Sequence, residues 1–410
     1  MYGGRAIRGS DAMLPVIPSI GLHQYTTRRL RVETVTDFIS FLSLKQAWDG
    51  LVSRTELDHP FVTHEWIRTW WESFGGNRTM HIIVVREGDT VVGIAPMLED
   101  IERFYGFKLR KLSFIWNTHV PRCDFIVAGK RLDIYRTLWE HIAAEGRRWD
   151  LLLLPQLPEG SPTLTWFKEL AVSSGFLACT WSADASPYVP ISGTWEDYFE
   201  SLPRNHRSSL HSRTARLSSM GKVELEPLSA DADNVSSALD EGFQIDAAAW
   251  KATTGDTQLV DAGVRNFYSK LVESSSIRNL VKLQFLRAGS KRIAFNLSVR
   301  YGSSMYLIKG GHLPEYTDYS PFNILASKSL ENCFREGLQR YDFLGKEEEW
   351  KSRWSRRVLS HHWMFIYPNN PRTALFNAMK FRMAPMIQEF GQVNGRAAMS
   401  DANLVWAPQG

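Results

Sequence analysis

Two stretches of this chain, far apart in the sequence, can be laid over each other without a gap. Ile82-Ile83-Val84-Val85 rises, turns at Glu87-Gly88-Asp89 and returns through Val91–Met97. Val281–Leu286 rises, turns at Ala288-Gly289-Ser290 and returns through Arg292–Val299. Arg86, Gly88, Val92 and Ile94 then fall on Arg287, Gly289, Ile293 and Phe295. Apolar runs flanking a polar turn with glycine are hairpin signals. Each copy follows a Trp-containing helical stretch and precedes a further strand–helix–strand pattern, so the repeat constrains the whole chain and not one turn. The chain reads as α/β (α+β), with two tandem domains, each a mixed sheet flanked by helices. Its 410 residues agree with two cores.

The divisions follow from the pattern. Residues 1–28 lack periodicity and read as a flexible arm. The first domain is expected over 29–185, the second over 186–370, and a helix and tail over 371–410. In the first, Asp37 reads as the N-cap of a helix, and Thr63–Ser73 as another with Trp66, Ile67, Trp70 and Trp71 at helical spacing. A helix over Leu132–Glu145 precedes the apolar run Trp149–Leu154, a strand that Pro155 should stop. The second opens with helices at Thr194–Leu202 and Arg204–Met220, then Ala232–Lys251 and Val264–Ser274.

Several function classes fall away. A net charge of +4 gives no broad basic face for DNA. Cys123, Cys179 and Cys333 are scattered with no CxxC pair, which speaks against a disulfide framework or a structural zinc and for a reducing cytoplasm. Met1–Thr27 has no continuous apolar h-region, and no run of apolar residues reaches membrane-spanning length. The signatures of dinucleotide folds, P-loops, HExxH metallopeptidases and GxSxG hydrolases are missing, and no metal is implied.

The chemistry concentrates between Ser304 and Trp354. A strand, Ser304–Lys309, closes at Gly310-Gly311, and a helix opens at Tyr319-Ser320-Pro321 and ends near Gly337. Serine at the N-cap and proline at the first helical position are favoured start chemistry. The free amides of that first turn, near Phe322 and Asn323, face the strand end and could cradle a diphosphate. The alternative is an ordinary capped helix. Asp342, on the strand Arg340–Gly345, could serve as a base or accept backbone amides of the following turn. Lys351 follows three glutamates between Trp350 and Trp354, so it is either solvated or a positioned ammonium able to hold a carbonyl oxygen. The helix from Arg204 carries Arg207, Arg213 and Arg216 with no acidic residue between, a phosphate-binding face or a solvated one.

Taken in order, these motifs resemble the GNAT-superfamily acyltransferases of the BioF2-like, or CelD/BcsL, family, which is related to the Fem-type aminoacyl transferases. The first half carries the likeness through His59-Pro60-Phe61, Trp66…Trp70 and Gly93-Ile94-Ala95-Pro96-Met97. The second carries it through Arg204…Leu210…Arg213…Arg216…Gly221, Tyr319-Ser320-Pro321, Asp342-Phe343-Leu344-Gly345 and Trp350-Lys351. It spans about residues 30–370. The resemblance implies tandem GNAT-like folds with a degenerate first copy. It implies an acyl-CoA co-substrate, with no permanently bound cofactor, held by Ile308, Lys309, Gly310, Gly311, Ser320, Phe322 and Asn323. In Fem relatives a lysine after the last DF-type strand assists transfer, the place of Lys351. The phosphate loop pattern Q/RxxGxG/A is absent, and His312–Tyr319 stands in its stead.

The expected reaction moves an acetyl or other acyl group to an amine or hydroxyl of a small, glycan or peptide acceptor, as in polysaccharide or envelope chemistry. Backbone amides near Ile308–Gly310 and Lys351 would hold the oxyanion. Tyr319 or Tyr316 would protonate the leaving thiolate, and Asp342 is the candidate base. Arg204, Arg207, Arg213 and Arg216 would bind acceptor or phosphate. Two alternatives stand beside this reading: a Fem-type transferase taking aminoacyl-tRNA, and a non-catalytic partner in exopolysaccharide biosynthesis. The stripe Leu375, Phe376, Met379, Met383, Met386 and Ile387 would pack on the second domain, or touch a membrane surface through 371–390.

Overall fold

The computed structural model describes residues 30–378 except 105–106, 130, 229–233, 255–261 and 275–277. The arm expected at 1–28 and the tail beyond Ala378 lie outside the described residues.

The first half runs β1 (Leu30–Val35), α1 (Phe38–Ser43), α2 (Lys45–Val52), α3 (His64–Phe74), β2 (Thr79–Glu87), β3 (Thr90–Phe104), β4 (Phe107–Phe114), β5 (Ile126–Val127), α4 (Leu132–Ala144), β6 (Leu151–Pro158), α5 (Lys168–Ser173) and β7 (Leu177–Ser182). The second runs β8 (Ser186–Pro190), α6 (Trp195–Ser201), α7 (Arg204–Ser218), β9 (Val223–Leu228), α8 (Val235–Thr254), α9 (Ala262–Glu273), β10 (Val281–Ala288), β11 (Lys291–Tyr301), β12 (Ser304–His312), α10 (Pro321–Arg335), β13 (Arg340–Asp342), α11 (Glu349–Ser352), β14 (Val358–Leu359), β15 (His361–Tyr367) and α12 (Pro371–Ala378). Asp37 accepts from the Ser40 amide at 2.8 Å and so caps α1, as its sequence position implies.

The strands form two mixed sheets. One has the order β1-β2-β3-β4-β6-β15-β7, with β5 on β3, and the other β14-β8-β13-β12-β11-β10-β9. Each contains one parallel pair, β4 with β6 and β12 with β13, among antiparallel neighbours. The aligned hairpins are equivalent in detail. Both carry a register shift at the same place, Val85/Arg86 in one and Leu286/Arg287 in the other. Their turn glycines, Gly88 and Gly289, sit at φ 63° and 61°, a region that favours glycine.

Two expectations change. β15 crosses back to complete the first sheet between β6 and β7, so residues 186–370 do not map onto one sheet. Pro155 does not stop its strand. It lies within β6 where the pairing to β15 slips between His362 and Met364, and a bulge is where a proline without an amide hydrogen is tolerated.

A continuous core joins the halves. Trp66, Trp70 and Phe61 of the first half pack in one apolar cluster with Phe243, Phe267 and Tyr306 of the second. A second cluster, around Leu325, Leu330, Tyr341 and Phe343, lies on the α10 side of the second sheet. Phe376 of α12 joins a third with Leu109, Leu153 and Phe365 of the first sheet. The expected packing of this stripe on the second domain is thus corrected for its described part: it covers the first sheet. Among the described residues no helix is long and apolar enough to cross a membrane.

Candidate active site

The parallel pair β12 and β13 stays in register only from Ser304↔Arg340 to Tyr306↔Asp342. Beyond that, β12 continues along β11 to His312, while β13 ends and the chain turns away. A slip between Leu297 and Ser298 leaves Ile308 as an extra residue in β12, bending its end further. The two chains therefore open as a V. A cavity of ≈ 360 Å³ fills it, lined from the second half by Leu307, Ile308, Lys309, Phe343 and Lys351 among others. The opposite wall belongs to the first half: Trp116, Asn117, His119 and Gln156.

Lys351 is the centre of this arrangement. Its residue is 6 % exposed, and its Nζ donates to Leu344 O and Lys346 O, both at 2.9 Å, with Glu348 at 3.1 Å. Burial lowers its pKa below the ordinary lysine value. Trp350, whose ring centroid lies 5.6 Å from the ammonium, screens it from one side. The sequence alternative of a solvated lysine is thereby excluded. Lys309, also in the wall, is paired to Asp246 of α8 at 2.7 Å. Across the cavity His119 Nδ1 and Tyr268 Oη share a hydrogen bond of 2.9 Å, tying a first-half loop to α9.

Asp342 does not fit the role of base. It is fully buried, ion-paired to Arg122, and its Oδ1 accepts from the Leu344 amide at 3.0 Å. A carboxylate held by a guanidinium and a backbone amide is structural, the second of its two sequence readings. Around it a polar network crosses between the halves, from buried Arg122 and His361 out to the exposed carboxylate of Asp58. Arg122 Nε donates to His361 Nε2 at 3.2 Å, Arg340 pairs with Asp58, and Arg340 Nη2 reaches Tyr306 Oη at 2.9 Å.

The helix start is also altered. Pro321 opens α10, but Ser320 sits at φ 45°, ψ 55° and makes no capping bond. Its hydroxyl instead receives Arg213 of α7. A non-glycine residue in left-handed backbone is a strained feature held by its surroundings. Tyr319 lies under Arg216, 5.0 Å from the guanidinium carbon, and Tyr316 under Lys291 at 5.4 Å. Neither tyrosine lines the cavity with Lys351, so the expected protonation of a thiolate by either loses its geometry. The basic face divides likewise. Arg213 and Arg216 stand at the α10 start, whereas Arg204 is exposed and Arg207 Nε donates to Leu202 O at 3.1 Å. Among the described residues none of the four is in an ion pair with the geometry of a salt bridge.

The expected donor-binding residues thus occupy two places. Ile308 and Lys309 line the cavity, and Ser320, Phe322 and Asn323 form the α10 start. Gly310 joins them: a Cβ there would lie 2.3 Å from the Phe322 ring, so only glycine lets strand and helix approach. Gly311 faces Asp246, with room for a Cβ 3.7 Å from its Cα. Phe322 in turn meets Trp350, ring centroids 5.2 Å apart. Sequence reasoning did not select His119, Tyr268, Gln156 or Arg122. The polar run Asn117-Thr118-His119 between apolar strands was the available signal for the first.

Residues 204–352 match the acetyltransferase (GNAT) domain. This GNAT-matching segment holds α7, α10, the V between β12 and β13, and Lys351 near its end. No curated protein matches the sequence. Among solved structures the chain is similar to FemX, with TM-score 0.56 and 13% identity over 84% of this chain and 99% of that one. It is also similar to a conserved protein of unknown function from Bacteroides thetaiotaomicron, TM-score 0.52, 10% identity, over 82% and 100%. A third is the C-terminal domain of a putative lysylphosphatidylglycerol synthetase from Agrobacterium fabrum, TM-score 0.50, 9% identity, over 83% and 97%. At these identities the likeness is one of fold, and each of the three is covered almost end to end.

The buried imidazoles carry a pH prediction. Burial holds His59 at about 3 and His361 and His206 at about 4, against an ordinary 6.5. Their depressed folded values mean that the unfolded chain takes up protons that the folded chain refuses as pH falls below 6.5. Asp124, raised by burial to about 6, works in the opposite sense, but it stands against these three and against His64, His81 and His312, which burial also lowers. Stability should fall as pH drops from 6.5 towards 4, by on the order of 1.4 kcal/mol per pH unit for each unbalanced group. Urea melts followed by tryptophan fluorescence would check this; a midpoint flat or rising towards pH 4.5 would contradict it.

Proposed function

We propose that the protein is an acyltransferase that moves an acetyl or other acyl group from an acyl-CoA to an amine of a small, glycan or peptide acceptor. The observation that carries the reading is the buried ammonium of Lys351 in a cavity between diverging strands, beside an unneutralised arginine pair at a helix start. The donor phosphates meet Arg213, Arg216 and the α10 start at Phe322. The Asn323 amide, expected from the sequence to share in this, donates instead to Ser320 O at 3.0 Å, as does that of Ile324 at 3.3 Å. The acyl arm passes Gly310 and Phe322 into the V. There the unpaired edge of β12 near Ile308 and the Lys351 ammonium stabilise the tetrahedral oxyanion. The acceptor enters from the first-half wall at His119 and Gln156. The proton of the acceptor leaves through water in the cavity or through His119, in the place that Asp342 cannot fill. The motif order supports a BioF2-like (CelD) grouping, and three scattered cysteines with no CxxC pair support a cytoplasmic location.

Calorimetric titration with acetyl-CoA, with aminoacyl-tRNA in parallel, tests this. Binding of acetyl-CoA supports the proposal. Binding of tRNA alone would favour the second reading, to which the likeness to FemX points, and binding of neither would favour a non-catalytic partner. Arg213→Ala with Arg216→Ala should weaken acetyl-CoA by about tenfold or more, and should flatten the salt dependence of its affinity. Unchanged affinity and salt dependence would remove these arginines from the donor site.

A further inference from the structure

The groups that hold Lys351 lead back to the first half of the chain. After β4 the chain turns at Asn117–Val120 and lies against the end of β6, where the Cys123 amide donates to Gln156 O at 3.1 Å. This segment takes the place beside β6 that the open V takes beside β13, and it delivers Arg122 across the interface. Arg122 is 3 % exposed. Its Nη2 meets Asp342 Oδ2, its Nε meets His361, and its guanidinium carbon lies 5.5 Å from the Tyr306 ring.

Asp342 passes this hold on. Its other oxygen accepts the Leu344 amide, and Leu344 O is an acceptor of the Lys351 ammonium. Between those two bonds Leu344 sits at φ 52°, a conformation that a leucine adopts only when its surroundings enforce it. The Asp342 carboxylate is the group that enforces it from the buried side. Without Arg122 that carboxylate has a different cation within reach, Arg340, whose Nε is 4.0 Å away. A swing towards Arg340 would release the Leu344 amide, and with it the turn that presents a carbonyl to Lys351.

We propose that Arg122 is a positioning residue for Lys351, acting from the first half through Asp342 and the left-handed turn at Leu344. The half that lacks the open V thus has a part in the reaction beyond supplying a wall: the second half by itself would not hold its lysine. This rests on the reading of Lys351 as the transfer residue. Its test needs no substrate, so it can fail or succeed independently of acetyl-CoA binding.

The measurement is pulse labelling of the intact protein by acetic anhydride at pH 9, quantified lysine by lysine by mass spectrometry. Arg122→Met removes the cation from Asp342 and leaves the carboxylate only Arg340, whose Nε is 4.0 Å away. In this variant Lys351 should label about tenfold faster through local opening of its turn. Lys309, in the same cavity but held by Asp246 of α8, should label as before and serves as internal control. If Arg122→Met does not fold, Arg122→Met/Asp342→Leu, which offers the Leu344 amide no acceptor, is read in the same way. An unchanged Lys351 rate in a folded variant overturns the proposal. Equal acceleration at Lys309 and Lys351 overturns it too, because that is general loosening and not loss of a specific hold.

Discussion

Lys351→Met is expected to lower kcat/KM for acyl transfer by about 10²–10³ while acetyl-CoA binds nearly as well as to the unaltered protein. The reason lies in where the ammonium sits. Leu344 O, Lys346 O and Glu348 take its three N–H bonds, so the two carbonyls keep it in place while the bond to the exposed Glu348 is the one it gives up as negative charge develops on the acyl oxygen. Removing it takes away a stabilisation made in the transition state, whereas the donor phosphates would be gripped elsewhere, at Arg213, Arg216 and the α10 start. Loss should therefore appear in kcat. Methionine fills much of the volume that lysine leaves and keeps the stem packed beside Trp350. Circular dichroism and a calorimetric titration of acetyl-CoA accompany the kinetics. Full turnover in the variant would remove Lys351 from the chemistry. A variant that folds but no longer binds acetyl-CoA would assign the lysine to donor recognition.

How much of this was legible in the sequence depends on the range over which each feature is determined. Local chemistry read well. Asp37 caps its helix, Gly88 and Gly289 turn their hairpins, and α10 begins at Pro321, because turn and cap preferences are set by neighbours a few residues away. The duplicated hairpins could even be aligned residue by residue, down to a shared bulge that the sequence did not announce. Pairings between the halves were invisible. Asp342 could be read as a base or as an acceptor of turn amides, and strand alternation alone could not decide between them; what decides is Arg122, in the other half. Ser320 looked like a cap because serine before proline usually is one, yet Arg213 of α7 takes its hydroxyl. Likewise β15 belongs to the first sheet, a choice made by the apolar face of β6 and not by any signal within β15 itself.

The same distinction explains why the cavity was half-read. Most of its second-half wall comes from one region of the sequence, Leu307–Lys309 and Phe343–Lys351, with aromatic and lysine markers, and that part stood out, whereas Tyr268 did not. Its first-half wall comes from the chain between β4 and α4 and from the bulge at Gln156, residues whose only common property is that the fold brings them together. A degenerate copy, judged from sequence, suggests a passive support. The geometry makes it one side of the cavity and the anchor of a buried charge.

That anchor has a large effect on stability, and the direction can be argued from the charges alone. Asp342→Ala should destabilise the protein by about 3–5 kcal/mol, because it leaves Arg122 buried with no carboxylate opposite it. His361 cannot replace the lost partner: its Nε2 already accepts from Arg122, and burial holds the ring neutral. Arg122→Met/Asp342→Leu removes both charges and replaces them with side chains that can pack, so it should recover most of the loss. Catalysis should not recover with it, since neither substitution returns an acceptor for the Leu344 amide. Urea unfolding of the single and double variants, followed by tryptophan fluorescence, gives the coupling. A cost below about 1 kcal/mol for Asp342→Ala would mean that water reaches the pair as it does at a surface ion pair. A double variant restored in both stability and turnover would show that the charged link holds the halves together and does nothing for Lys351.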